Sequence, residues 1–133
     1  MDIMLRLLIF FILVCLQIGL DNNMKKCKNI KGKLLLAIHH ILQIYSLFGS
    51  VVFGYHKLHI ISLLVALLVH YVSGRCFITN LHDKLCHFKE SRLETFLNHI
   101  LRVLRIDYNP FIYYGMLIVV LIYDILWIRC TNY

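Results

Sequence analysis

The chain has 133 residues, of which 60% are hydrophobic and 16% charged, and this composition is far more apolar than that of an average soluble domain. One proline and six glycines argue against collagen-like repeats and against extended disorder. The net charge of +7 is compatible with nucleic-acid binding, but the basic residues lie between apolar runs and form no separate polar domain. A membrane surface is therefore the predicted partner, and nucleic acid is not.

The first apolar run covers residues 3–20 and is interrupted by Arg6 and Gln17. A cleaved signal peptide is the alternative, because residues 7–16 have the length of its hydrophobic region. Asp2 stands beside the single Arg6, however, and no small-x-small cleavage site follows. We therefore predict an uncleaved membrane span.

Three further apolar runs cover residues 34–53, 58–74 and 111–128, and a bilayer requires about 20 helical residues. Residues 54–57 form a link so short that the two spans beside it must be antiparallel neighbours. The sequence predicts an all-α fold, an integral membrane helical bundle with four transmembrane helices in a single membrane domain, residues 1–133.

The basic residues predict the direction of the spans, since cytoplasmic loops are rich in Lys and Arg. With the loops after the first and third spans on the cytoplasmic side, all of the 14 basic residues except Arg6, Lys57 and Arg129 lie there. Cleavage of the first span would move the lysine-rich loop across the membrane. The prediction is a multi-pass protein with both termini on the non-cytoplasmic side.

Residues 91–106 have the pattern of an amphipathic helix, with apolar residues at steps of three and four. Such a helix lies in the headgroup plane with its cations toward anionic lipid, and the predicted headgroup contacts are Arg92, Arg102 and Arg105. The alternative is a helix that packs on another protein of a larger assembly.

Polar residues within the spans are functional candidates, because they are costly in hydrocarbon. If the hairpin is centred near residue 55, His40 and His70 lie at the same depth, near the edge that the next loop shares. Most such groups join helices by hydrogen bonds, and fewer bind a ligand. The predicted outer polar pair is His59 and Asp124, and the predicted inner polar cluster consists of His39, His40, His70, Cys76, Thr79 and His99.

The five cysteines are odd in number, and on this topology only Cys130 faces outside, so we expect no disulfide framework. No metal site is predicted either, because the spacing within the set Cys76, His82, Cys86 and His87 is not that of a zinc finger or ribbon. The chain has no phosphate loop, no Gly-x-Ser-x-Gly and no His-Glu-x-x-His, which disfavours a familiar hydrolase, and no catalytic residue is assigned.

Two segments resemble a family of small multi-spanning bacterial membrane proteins that is known as a domain of unknown function. Residues 76–81 read CFITNL where the family has Cys-Pro-Leu-Thr-Pro-Leu-Glu, and residues 96–101 read FLNHIL where it has Phe-Ile-Glu-His-Tyr-Leu. Phe77 and Asn80 replace the two prolines, and His82 stands in place of the acid. The resemblance implies an architecture but no reaction, and it directs attention to His39, His59, Cys76, Thr79 and His99.

Two functions remain open at this point. The first is a structural or interaction protein that contacts the bilayer, anionic headgroups and other membrane proteins, and it needs no cofactor. The second is a membrane redox or ligand-binding protein in which His39, His40 or His70 binds haem or a metal ion. Two adjoining helices leave little room for a haem macrocycle, which favours the first.

Overall fold

The computed structural model describes residues 2–73, 76–89, 96–107 and 110–131, and within these ranges all regular secondary structure is α-helical. Four helices are long and apolar enough to cross a membrane, which confirms the predicted fold class. The helices are α1 (Ile3–Leu20), α2 (Asn22–Lys26), α3 (Ile30–Phe53), α4 (His56–Ser73), α5 (Phe77–Cys86), α6 (Phe96–Val103) and α7 (Pro110–Thr131).

Helix α3 is the centre of the bundle, because it packs against α1, α4, α5 and α7. It is longer than predicted at its start, where the Asn29 side chain accepts a hydrogen bond from the Lys31 N–H at 2.9 Å and caps the first turn. The main apolar contact joins α3, α4 and α7 through the buried side chains of Leu47, Leu63 and Leu117.

The turn between α3 and α4 is as short as the sequence requires. Gly54 takes the left-handed conformation with φ 75°, which glycine adopts without steric cost, and its N–H donates to the Ser50 carbonyl at 2.8 Å. Since α4 begins at His56, the two helices run antiparallel. The last part of the predicted loop is therefore the first turn of α4.

The outer surface of the bundle is apolar. Met4 and Phe11 on α1, Leu68 on α4 and Val119 on α7 each leave more than half of their surface exposed. The buried set, in contrast, includes many polar and ionisable side chains. This arrangement suits a hydrocarbon solvent, in which apolar side chains face outward and polar groups must find partners inside.

Helix α6 is shorter than the predicted amphipathic helix over 91–106. Its last turn ends in a Schellman motif, in which Arg105 has φ 57°, its N–H donates to the Arg102 carbonyl at 3.1 Å, and the Ile106 N–H donates to the Leu101 carbonyl at 2.8 Å. The helix therefore stops at Val103, where the prediction continued it to residue 106. Residues 91–95, with Arg92, lie outside the described residues.

Helices α5 and α6 lie at one end of the bundle. Helix α5 packs against α3 and α4, whereas α6 packs against α1 and buries Leu101. The connection between α1 and α3 reaches the same end, because it contacts the end of α5. The lysine-rich connection and helices α5 and α6 thus lie at the same end of the bundle.

Candidate functional site

The first polar cluster lies beside the turn between α3 and α4, and we call His56, His59 and Asp124 the outer cluster. Asp124 of α7 is fully buried, and its two carboxylate oxygens lie 2.9 Å from His56 Nδ1 and 2.5 Å from His59 Nδ1. The structure thus brings the predicted pair together and adds His56. His56 lies three residues before His59, a spacing that places both on one helix face, but the sequence interpretation assigned His56 to the link of residues 54–57.

His59 connects three helices. Its Nε2 lies 2.9 Å from the backbone carbonyl of Tyr45 on α3, and a carbonyl oxygen accepts only from a protonated nitrogen. The contact between His59 Nδ1 and Asp124 Oδ2 therefore holds one further proton, either as imidazolium with carboxylate or as imidazole with carboxylic acid. This proton lies in the buried hydrogen bond between His59 of α4 and Asp124 of α7.

Neighbouring residues leave little freedom for the two imidazoles. A Cβ at Gly49 would lie 2.7 Å from the Tyr45 ring and 3.0 Å from the His59 ring, so the absence of a side chain allows His59 to reach α3. The His56 ring stacks on Trp127, with ring centroids 5.3 Å apart and an interplanar angle of 22°. The outer cluster is held in place from α3 and α7.

The second polar cluster joins α1 to α3, and we call Gln17, Asp21, His40 and Gln43 the Asp21–His40 cluster. Asp21 follows the last residue of α1 and is fully buried, with its Oδ2 2.8 Å from His40 Nε2. Its Oδ1 accepts the Asn23 N–H at 2.8 Å and caps α2. Asp21 therefore caps the end of α1 through its backbone N–H, and its carboxylate caps α2 and contacts α3.

The hydrogen bonds assign the protons of this cluster. His40 Nε2–H donates to the Asp21 carboxylate, which leaves Nδ1 as an acceptor for the Gln17 amide at 3.2 Å. The same amide donates to Gln43 Oε1 at 2.5 Å. Both ring nitrogens of His40 are occupied. The sequence interpretation placed His40 in the inner polar cluster but missed its partners Gln17 and Asp21, because no sequence pattern shows which face of the first span meets α3.

The predicted inner polar cluster is assembled only in part. His39 Nδ1 lies 3.4 Å from the Cys76 sulfur, and the ring centroids of His39 and His40 are 5.9 Å apart. His70 instead packs its ring against those of Tyr113 and Tyr114 on α7. Thr79 is buried on α5, and the side chain of His99 lies outside the described residues.

Cys27 and Cys86 form a disulfide, so the expectation of no disulfide was wrong. The two residues are 59 positions apart, and they meet because the connection after α2 and the end of α5 lie at the same end of the bundle. A spacing of this size carries no local signal in the sequence. Cys15, Cys76 and Cys130 are free.

The structure separates two members of the set Cys76, His82, Cys86 and His87 from the other two. Cys76 contacts His39, and His87 is the exposed left-handed cap of α5. His82 and Cys86 remain close together and are joined by Cys27, and we call Cys27, His82 and Cys86 the cysteine cluster. Their potential ligand atoms all lie within 4.8 Å of one another.

The histidines differ in whether they could hold a cofactor. His40 and His59 have both ring nitrogens engaged, so either would have to break a hydrogen bond before binding haem iron or another metal. His39 and His70 stand in different surroundings, one beside a thiol and the other between tyrosines. This arrangement does not favour the predicted alternative of a haem held by His39, His40 or His70.

Comparison with known proteins adds no relative. No protein-family model matches the chain, and neither a curated protein nor a solved structure matches it. The resemblance to the bacterial membrane family therefore stays a prediction, and the functional argument rests on the contacts described above.

Proposed function

We propose that the chain is a structural or interaction protein of a membrane, which spans the bilayer with four helices and presents a basic end to anionic headgroups. One observation carries this proposal: the buried carboxylates Asp21 and Asp124 are each engaged by imidazoles of another helix. Ionisable groups in spans mark either a pathway or a joint between helices. Here they join helices.

The contacts support a joint because each polar cluster connects different helices by hydrogen bonds. The outer cluster links α3, α4 and α7, and the Asp21–His40 cluster links α1 and α3. In hydrocarbon, where apolar surfaces gain little by meeting one another, hydrogen bonds between helices are one of the forces that hold a bundle together. The outer surface is then free for lipid or for apolar helices of other membrane proteins.

The basic end supplies the second part of the proposal. Lys25, Lys26 and Lys28 are exposed near α2, and Arg102 and Arg105 are exposed at the end of α6. Lysines and arginines next to a membrane surface are attracted by anionic lipids, at about 1 kcal/mol for each cation. Basic groups from two connections at one end form a single docking surface for headgroups.

Changing Arg92, Arg102 and Arg105 together to Gln is expected to weaken enrichment of anionic lipid around the protein. A loss of about 1 kcal/mol for each cation is roughly a fivefold loss of affinity each. The measurement is the ratio of phosphatidylserine to phosphatidylcholine that co-purifies with the full chain from mixed vesicles, by mass spectrometry. The triple Arg→Lys variant keeps the charge and serves as control. Equal lipid ratios in the wild type and the Gln variant would contradict the proposal.

We further propose a multi-pass protein with both termini on the non-cytoplasmic side, because this orientation leaves the basic end in the cytoplasm. In intact cells, a membrane-impermeant maleimide is then expected to label the exposed Cys130. Cys27 and Cys86, once a permeant reductant has opened their disulfide, should react only after permeabilisation. Cys130→Ser is the control and should abolish the outside signal. Labelling of Cys86 from outside would reverse the proposed orientation.

A further inference from the structure

The cysteine cluster has the composition of a metal site. His82 and Cys86 are four residues apart on α5, so they lie on one face of that helix. Cys27 comes from the connection after α2 and is 1% exposed, while His82 is fully buried. Two sulfurs and an imidazole nitrogen within 4.8 Å of one another form a Cys2His set, which is one of the ligand sets of zinc in proteins.

The hydrogen bonding of His82 points to a ligand. Its Nδ1 lies 3.3 Å from Asp83 Oδ1, so the ring proton is directed to the carboxylate and Nε2 carries the lone pair. Within the part of the chain that the structure describes, Nε2 is buried and has no hydrogen-bond partner. A buried acceptor without a partner costs about 1–3 kcal/mol. A carboxylate on the other ring nitrogen is the usual support of a metal-binding histidine.

Gly32 of α3 provides the space for the two sulfurs. A Cβ at this buried position would collide with the Cys86 sulfur and lie 2.9 Å from the Cys27 sulfur. The exposed side chains of Lys26, Lys28 and Lys84 flank the two cysteines in sequence, and nearby cations favour thiolate over thiol.

We propose that the cysteine cluster has two states: the disulfide, and a reduced state in which the Cys27 and Cys86 thiolates and His82 Nε2 bind a thiophilic divalent cation such as Zn²⁺. Thiolate and imidazole together select this class of ion. Three protein ligands leave the fourth position of a tetrahedral ion open to water or to another ligand, as in catalytic rather than structural zinc sites.

The exchange between the two states needs a dithiol as reductant. The two thiols of the reductant become a disulfide, and their two electrons and two protons convert the Cys27–Cys86 disulfide into two thiols. Binding of the divalent cation then releases these two protons to water and leaves two metal–sulfur bonds. In either state the connection after α2 stays attached to α5.

This site reconciles the proposed orientation of the basic end with the disulfide found there. The positive charges favour the cytoplasm, where cellular thiols keep cysteines reduced, whereas the structure contains a disulfide. A site that binds a cation when reduced has a defined structure under both conditions. The ligand set itself does not depend on the proposed orientation or on lipid contact. The metal-binding proposal and the proposed membrane function can therefore fail independently of each other.

The test is a Co²⁺ titration of the full chain in detergent, after reduction with a phosphine and removal of metal by a chelator. We expect the reduced protein to bind one Co²⁺ for each chain, with a thiolate-to-cobalt charge-transfer band that Zn²⁺ abolishes. Oxidised protein with its disulfide intact should show no band. Circular dichroism of the same samples reports whether reduction alone changes the helix content.

Two variants separate this site from other thiols and imidazoles. Asp83→Ala keeps all three ligands but removes the acceptor that supports His82, and it is expected to weaken Co²⁺ affinity by about 10- to 100-fold. Cys76→Ser and His87→Ala change groups outside the cluster and should leave the affinity unchanged. Absence of the charge-transfer band in reduced wild-type protein, whether folded or not, would overturn the proposal. So would a band that survives the joint change of Cys27 and Cys86 to Ser.

Discussion

Replacement of Asp124 by Ala is expected to lower the free energy of unfolding by about 3 kcal/mol, because removal of one partner from a buried, hydrogen-bonded His–Asp cluster leaves the other partners unsatisfied. The side chain is fully buried, and its loss leaves Nδ1 of both His56 and His59 without an acceptor. The measurement is reversible unfolding of the protein in mixed micelles. It is followed by circular dichroism and by the fluorescence of Trp127, the single tryptophan.

The control for this variant is Asp107→Ala, which removes an exposed carboxylate and should change stability by about 0.5 kcal/mol or less. Asp124→Asn tests the charge separately, since the amide keeps one acceptor oxygen for an imidazole. Its free energy of unfolding should lie between those of Asp124→Ala and Asp107→Ala. An Asp124→Ala protein as stable as Asp107→Ala would show that the outer cluster does not hold α7 in the bundle.

Replacement of Asp21 by Ala is expected to cost about 3 kcal/mol, of which about 2 kcal/mol comes from the buried His40 Nε2–H that loses its acceptor and about 1 kcal/mol from the lost cap of α2. Both oxygens of the carboxylate are in use, one on His40 and one on the Asn23 N–H. The same unfolding measurement applies. A further sign is increased proteolysis between α1 and α3, because the connection between them would lose its side-chain contact with His40.

Two substitutions separate the contributions at this position. Asp21→Asn keeps a good capping side chain and should recover about 1 kcal/mol relative to Asp21→Ala. Asp2→Ala is the matched control, because Asp2 is the N-cap residue of α1 but its side chain makes no capping hydrogen bond within the described residues. Equal stability of Asp21→Ala, Asp21→Asn and Asp2→Ala would contradict the role assigned to the Asp21–His40 cluster.

The polar clusters explain how a chain of this size could form a stable bundle with an apolar outer surface. The outer cluster fixes α4 and α7 near one end of α3, and the Asp21–His40 cluster fixes α1 against its first half. The Cys27–Cys86 disulfide then attaches α5 to the connection between α1 and α3. Each joint acts between elements that are distant in sequence, so the three together determine the arrangement of helices.

The helices themselves were predictable, because a span is determined by local composition and a tight turn by chain length. The predicted runs 3–20, 34–53, 58–74 and 111–128 correspond closely to α1, α3, α4 and α7. Depth along antiparallel helices follows from the rise of about 1.5 Å per residue, and it predicts that His59 lies near the level of Asp124. Properties that depend on position along one helix, or on a short link, can be read from the sequence.

Only the tertiary structure decided which faces meet. The contact of Asp21 and Gln17 with His40 depends on how α1 is rotated against α3, and that rotation is set by packing over both helices together. The contact of His70 with Tyr113 and Tyr114 depends in the same way on the placement of α7. The disulfide between Cys27 and Cys86 depends on the placement of α5. A sequence period gives the face of one helix, but the partner of that face is decided by the free energy of the whole bundle.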